Sequence, residues 1–280
     1  MECYLCNSKD FKKRPGMVRD NTSLSILECQ SCGLVRLSSF NHISDNFYSE
    51  SKMHGDIPPP LEEWRKETNW DDQRRFESLV NLIENKKILD FGCGAAGFLM
   101  KASSISSSVS GVEKESRVRR EIASNLKIFS SLDEIKNTKF DVITSFHVLE
   151  HLKDPLKNLK ELSSLLKSNG HLIVEVPNSD DALLTFYESP NFQKFYWSQH
   201  LFLFNESTLG TVAKKAGLKV KSINQYQRYP LSNHLHWLAK GSPGGHETWS
   251  FIDNKELHKL YGLTLGKMKR CDTIITYLSL

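Results

Sequence analysis

The chain has 280 residues, 39% of them hydrophobic and 25% charged, and its 37 basic against 33 acidic side chains leave a net charge of +4. No run of about 18 uncharged apolar residues occurs, which excludes a membrane-spanning helix. The opening Met1-Glu2-Cys3-Tyr4-Leu5-Cys6 lacks the basic start and apolar stretch of a secretory signal, so a cytoplasmic protein is expected. The basic residues form only short clusters, Lys12-Lys13-Arg14 and Arg117 with Arg119-Arg120, and the absence of a dense stripe disfavours nucleic acid as the partner. At roughly 150 residues per domain, one large domain with a smaller companion is expected.

Four of the six cysteines fall into two pairs of identical spacing, Cys3-x-x-Cys6 and Cys29-x-x-Cys32, the second followed by Gly33. Two such turns can complete a tetrahedral shell of thiolates around one ion, and a full shell leaves no open position for substrate. This pattern predicts a structural zinc ribbon over residues 1–40, held by Cys3, Cys6, Cys29 and Cys32. Two disulfides are the alternative, which a reducing compartment disfavours. Cys93 and Cys271 stand alone and are expected to be buried thiols.

Residues 41–75 are polar, with Pro58-Pro59-Pro60 as a stiff break, and read as a linker. A helix entering the main domain is expected over 75–83, where Phe76, Leu79, Val80 and Ile83 share a face. From Lys86 onward short apolar strands alternate with helical patterns. Strands are expected at 88–90, 109–113, 140–146, 171–176, 219–226 and 272–278. Helices are expected at 98–104, 114–126 and 155–167, the last closed by Asn169-Gly170. The serine-rich stretch 103–110 reads as a polar loop. Such alternation predicts an α/β fold, a doubly wound and mostly parallel sheet with helices on both faces.

The first of these strands runs into Asp90-Phe91-Gly92-Cys93-Gly94-Ala95-Ala96-Gly97. Gly92, Gly94 and Gly97 satisfy G-x-G-x-x-G, a bend that brings backbone close to a ligand at a helix start. A dinucleotide would satisfy that pattern equally. Asp90 shifts the balance, because a carboxylate there repels a pyrophosphate and attracts a ligand bearing an ammonium and a sulfonium, as S-adenosylmethionine does. Glu113, at the end of the next strand, can accept two ribose hydroxyls.

The stretches Leu89 to Leu99, Gly111-Val112-Glu113, Phe140 to Pro155, Gly170 to Asn178, His200 to Asn205 and Ala216 to Val220 together resemble a class I S-adenosylmethionine-dependent methyltransferase. The resemblance covers roughly residues 76–226. It implies a seven-stranded Rossmann-like sheet with its last strand antiparallel, and a cofactor site of Asp90, Gly92, Gly94, Gly97, Glu113, Leu132, Phe146 and His147. With the cysteine ribbon, the chain is similar to bacterial deoxysugar C-methyltransferases and methyltransferases of polysaccharide biosynthesis. Those sugar enzymes use a Glu-His pair where this chain has Gln199-His200, and they carry a further C-terminal domain for which it has no room. His200 is expected as the catalytic base, with His147 as a second catalytic candidate; a lone imidazole suits a hydroxyl or amine acceptor better than a C–H bond.

Arg228, Tyr229, His234, His236, Trp237 and a glycine-rich turn suggest either a helical insertion at about 228–270 that shapes an acceptor pocket, with Arg228 able to fork onto a phosphate or carboxylate, or a solvated helix with ordinary packing residues. The organisation expected is therefore a ribbon at 1–40, a linker and entry helix at 41–75, and the methyltransferase domain at 76–280. The expected activity is methyl transfer to a small molecule, a sugar or sugar nucleotide. Its rivals are an RNA methyltransferase gripping nucleic acid with the ribbon, and a cofactor-binding module without turnover.

Overall fold

A computed structural model describes residues 1–44, 46–55, 57–122, 126–194 and 196–280. Three short strands, β1 (Phe11–Lys13), β2 (Ile26–Cys29) and β3 (Val35–Leu37), form an antiparallel ribbon that carries both cysteine pairs. A 23-residue helix, α1 (Leu61–Ile83), follows directly on the proline run. It begins fourteen residues before the expected start at 75. Pro60 supplies an extended entry, and Glu62 and Glu63 complement the positive end of the helix dipole. Asp71 and Asp72, which fall before the expected start at 75, therefore lie within the helix.

The main sheet is built from β4 (Lys87–Phe91), β5 (Ser108–Val112), β6 (Lys127–Phe129), β7 (Phe140–Phe146) and β8 (Leu166–Pro177). These alternate with α2 (Gly97–Ala102), α3 (Ser116–Ile122) and α4 (Pro155–Ser164). After the short α5 (Ala182–Thr185) and β9 (Phe202–Leu203), the chain continues through α6 (Glu206–Lys215), β10 (Lys219–Tyr226), α7 (Leu231–Lys240), α8 (Gly245–Thr248), α9 (Lys255–Lys267) and β11 (Thr273–Ser279). Among the described residues the sheet has seven strands in the order β10-β11-β8-β7-β4-β5-β6. Strand β11 runs antiparallel to both neighbours, as expected, while β4 pairs in parallel with β5 and β7. Ile88, Leu89, Ile143, Leu172 and Val174 are fully buried. Helices cover both faces, so these strands read as nearly continuous apolar runs.

Two expected boundaries shift. The helix expected over 155–167 stops at Ser164, and Asn169-Gly170 lie inside β8 rather than closing a helix. Leu166 pairs with Phe140, and a register shift between Phe140 and Val142 absorbs the extra residues before His171 meets Val142. The serine-rich stretch is a loop only to residue 107, because Ser108 pairs with Lys87 as the start of β5. Of the helix expected over 114–126, Ser116–Ile122 is helical, and residues 123–125 lie outside the described residues. Strands β6 and β9, three and two residues long, carry too little pattern to be read from sequence.

The ribbon is not a separate bead. Strand β3 pairs with β9, Val35 opposite Leu203 and Arg36 opposite Phe202, so the ribbon sheet takes its fourth strand from the segment after His200. Tyr4 packs against Phe202 at 5.2 Å between ring centroids, and its hydroxyl bonds the Asp154 carboxylate and accepts from Leu156 N–H at 2.8 Å.

Candidate active site

A cavity of about 830 Å³ opens at the C-terminal ends of β4, β5 and β7, where doubly wound sheets bind ligands. Its lining includes Asp90, Gly92, Gly94, Gly97, Glu113, Leu132, Phe146 and His147, so every residue expected to hold the cofactor faces one space. The glycines are required by close approach. At Gly92 (φ +74°) a Cβ would stand 2.3 Å from Val148 Cγ2, and at Gly97 it would stand 2.1 Å from Asp72 Oδ2. No side chain fits at Gly92 against Val148, and one at Gly97 would displace the Asp72 carboxylate.

Two acidic side chains flank this bend. Asp90 is buried, and burial raises its carboxyl to about 7 even though Thr144 Oγ1 donates to Oδ1 at 2.7 Å. Arg75 acts against that rise, while Asp72 and Glu113 add to it. Glu113 accepts from Gly94 N–H at 2.9 Å and Glu115 N–H at 2.8 Å, which aims its carboxylate along the bend. Glu115 in turn accepts from Ser51 Oγ at 2.7 Å and Arg117 Nε at 2.8 Å and faces His54 Nε2 at 3.3 Å, tying residues 51–54 to this edge. The arrangement suits a cationic nucleoside: a buried carboxylate without a full counter-charge at the bottom, and a hydrogen-bond acceptor beside it.

Across the cavity the charges are already matched. Glu175, fully buried near the end of β8, accepts from Arg74 Nη2 at 2.8 Å and from Arg75 Nη2 at 2.7 Å. Burial alone would raise its carboxyl, but Arg75, His147 and Arg74 hold it well below the usual range. His147 stands in the left-handed region (φ 54°) with Nδ1 3.3 Å from Glu150 Oε1 and Nε2 3.2 Å from Glu175 Oε1. Burial disfavours its charged form, yet the two carboxylates prevail and raise its pKa. Its Nε2 is buried against the Glu175 carboxylate.

His200 does not line the cavity. It lies behind His151, with ring centroids 4.8 Å apart, and burial followed by the His151 charge brings its pKa down to about 3. The ribbon and the linker hold its segment: Asp20 accepts from Ser198 N–H at 2.9 Å, His42 Nε2 lies 2.7 Å from the Ser198 carbonyl, and Gln199 Nε2 donates to the Met53 carbonyl at 3.0 Å. Gln199, the departure from the Glu-His pair, is thus a buried structural tie. Arg228 lines the cavity and does fork onto a carboxylate, that of Asp71, with Nε 3.1 Å from Oδ1.

The thiols of Cys3, Cys6, Cys29 and Cys32 lie within 4.8 Å of one another, with Sγ separations of 3.5 Å for Cys3–Cys32 and Cys6–Cys29. Burial opposes ionisation of Cys29, but the Cys32 and Ser31 backbone amides and its neighbouring thiols bring it down to about 7. The donor set fits a zinc ion. Cys93 and Cys271 are buried.

Sequence reading missed Asp71, Asp72, Arg75 and Trp64, all on α1 and all lining the cavity. The available signal was the i,i+3 spacing of Asp71–Arg74 and Asp72–Arg75, which puts four charges on one side of a helix.

A family model described as a methyltransferase domain matches residues 62–223. The ubiquinone biosynthesis O-methyltransferase of Pseudomonas aeruginosa (strain LESB58) is 26% identical over 211 residues, covering 66% of this chain and 82% of that one. Its namesake from Acinetobacter baylyi is 23% identical over 189 residues, covering 61% and 76%. Among solved structures, a chain from the complex between the Haloferax volcanii Trm112 methyltransferase activator and a methyltransferase superposes with a TM-score of 0.54 at 12% identity, covering 78% of this chain and 91% of that one. That last likeness concerns the fold alone.

Proposed function

The chain belongs to the methyltransferase-domain family, and from that premise we propose that this S-adenosylmethionine-dependent methyltransferase delivers its methyl group to a hydroxyl oxygen of a small molecule, a sugar or sugar nucleotide. The observation that carries the reading is the cavity whose lining brings Asp90 and Glu113 together with His147, behind which lies the buried Glu175. Asp90 would hold the cofactor's ammonium, Glu113 its ribose hydroxyls, and Leu132 and Phe146 its flat and apolar parts. When bound, S-adenosylmethionine supplies an electrophilic methyl on a sulfonium.

The protein's own tasks are then alignment and the removal of one proton. Alignment supplies on the order of 7–11 kcal/mol in favourable model systems. The acceptor's proton passes to the group formed by His147, Glu150 and Glu175, in which the two carboxylates flank the imidazole and stabilise its charged form. His200, expected as the base, is held neutral and weakly basic behind His151, which favours His147 for the role. Oxygen as the nucleophile agrees with the names of the two relatives above, both O-methyltransferases. The rim carries exposed Lys153 and Lys157, the latter paired with Glu161 at 3.7 Å, which would suit an anionic group on the acceptor. The ribbon's four thiolates would bind one zinc ion of purely structural role.

The test is transfer of labelled methyl from S-adenosylmethionine to a panel of nucleotide sugars, with the methylated atom located by NMR. An O-methyl product is expected, and His147→Ala should lower turnover by about 10²–10⁴-fold while sparing affinity for S-adenosylhomocysteine. A methyl group found on carbon, or turnover indifferent to His147, would overturn the assignment.

A further inference from the structure

Helix α9 lies against β10, an edge strand of the main sheet. Two glycines set the closeness of that contact. A Cβ at Gly262 would stand 3.3 Å from Gln227 Cβ, and one at Gly266 would stand 3.4 Å from Gln225 Cβ. Leu265, buried, and Tyr261, bonded to His234, complete the inner face. At 3.6 residues per turn, Glu256, Leu260, Leu263 and Lys267 fall within about 60° of one another on the opposite side. All four are exposed, Leu260 by 62% and Leu263 by 54%. Two neighbouring leucines with opposite charges at the two ends form a seam, not scattered exposure.

The order of these residues decides what the seam fits. Glu256 and Lys267 are eleven positions apart and Leu260 and Leu263 three, yet both pairs share one midpoint, between Tyr261 and Gly262. The seam is therefore complementary to itself. Turned end for end about a twofold axis at that midpoint, it sets Leu260 on Leu263 and Glu256 on Lys267. The flanking Lys255 and Lys259 then meet Met268 and Thr264, so no like charges are opposed. Among the described residues neither Glu256 nor Lys267 has an ion-pair partner, whereas nearby Lys269 and Arg270 are paired with Glu206 and Asp180.

We propose that α9 docks antiparallel against α9 of a second copy of this chain, forming a twofold homodimer. The charges select this occupant, because the acidic and basic ends of the seam match their own inverted image. No residue of α9 lines the cavity, so the contact uses none of the site's side chains and the inference rests on neither cofactor nor acceptor. A seam this short is small against the roughly 1,600 Å² of a standard interface and predicts a reversible dimer with a Kd of about 10–100 µM.

The experiment is sedimentation equilibrium of the full chain, under reducing conditions, at concentrations from about 5 to 500 µM. A concentration-dependent equilibrium of monomer and dimer is expected. Leu263→Asp should weaken it by about tenfold or more, since it places a carboxylate in the apolar centre. Glu256→Lys alone and Lys267→Glu alone should each weaken it by about fivefold, because the twofold axis repeats either change at two contacts. Both changes together restore the match and should return the wild-type Kd. These side chains are exposed, and near-ultraviolet circular dichroism confirms that each variant is folded. A monomer at every concentration, a dimer indifferent to Leu263→Asp, or a charge swap without rescue would each overturn the proposal. Capture of such a monomer on phosphatidylglycerol vesicles would give this face to a lipid surface instead.

Discussion

Asp90 and Glu175 are buried carboxylates on strands of one parallel sheet, at the same edge of it, and they behave oppositely. Burial lifts Asp90 to about 7: the Thr144 hydroxyl bonds it directly, and the opposing charge of Arg75 is countered by those of Asp72 and Glu113. Burial also acts on Glu175, but two arginines from α1 and the His147 imidazole outweigh it. One carboxylate is neutralised from within the fold; the other lacks a full counter-charge, which under the proposed function leaves it for the cofactor's ammonium. Helix α1 draws the distinction, since Arg74 and Arg75 turn toward Glu175 while Asp72 faces Gly97 and the cofactor's side.

The most damaging change to this arrangement should be Arg75→Ala, which strips Glu175 of its nearest cation. A buried charge left without its partner costs about 3–5 kcal/mol, to be read from denaturant unfolding, and adding Glu175→Gln should recover much of the loss. Unchanged stability would mean that Arg74 alone suffices and would erase the contrast. Asp90→Asn should act in the other direction: S-adenosylmethionine affinity falls by roughly 100-fold, about 2.7 kcal/mol by calorimetry, with no loss of stability in the ligand-free chain. A smaller effect is available without mutation. Binding a cation beside Asp90 requires the carboxylate, and its free-protein value of about 7 means that a proton must leave at lower pH. Affinity should therefore weaken by roughly 30-fold from pH 8 to pH 5.5, and Asp90→Asn should flatten that profile.

The signs for folding differ in the same way. The value of Asp90 is raised above the unfolded 3.8, so its contribution to the stability of the ligand-free chain is present below that value and is lost as pH rises through about 7. The value of Glu175 is depressed below the unfolded 4.5, so its contribution is present above that value and is lost as pH falls through its folded value.

That the proposed cofactor residues line one cavity was readable because they are local. Asp90, the three glycines and Glu113 span 24 residues along a strand, a bend and the start of the next loop. The half around Glu175 was not readable, because Arg75 and Glu175 lie 100 positions apart and nothing in either neighbourhood names the other. The same separation hid the position of His200. Its motif was legible, but the pairing of Val35 with Leu203 and the Gln199 bond to Met53 turn that segment away from the cavity and onto His151.

Short-range pattern sufficed for the α/β alternation of the main strands, the glycine bend, the acidic pair beside it and the thiol pairs of the ribbon. Each of these depends on a spacing of a few residues and a single backbone conformation. Which carboxylate meets an internal cation, and which histidine faces the cavity, were settled only when α1 and the ribbon docked against the sheet, because electrostatic partnership is set by distance in space, on which separation along the chain places almost no limit.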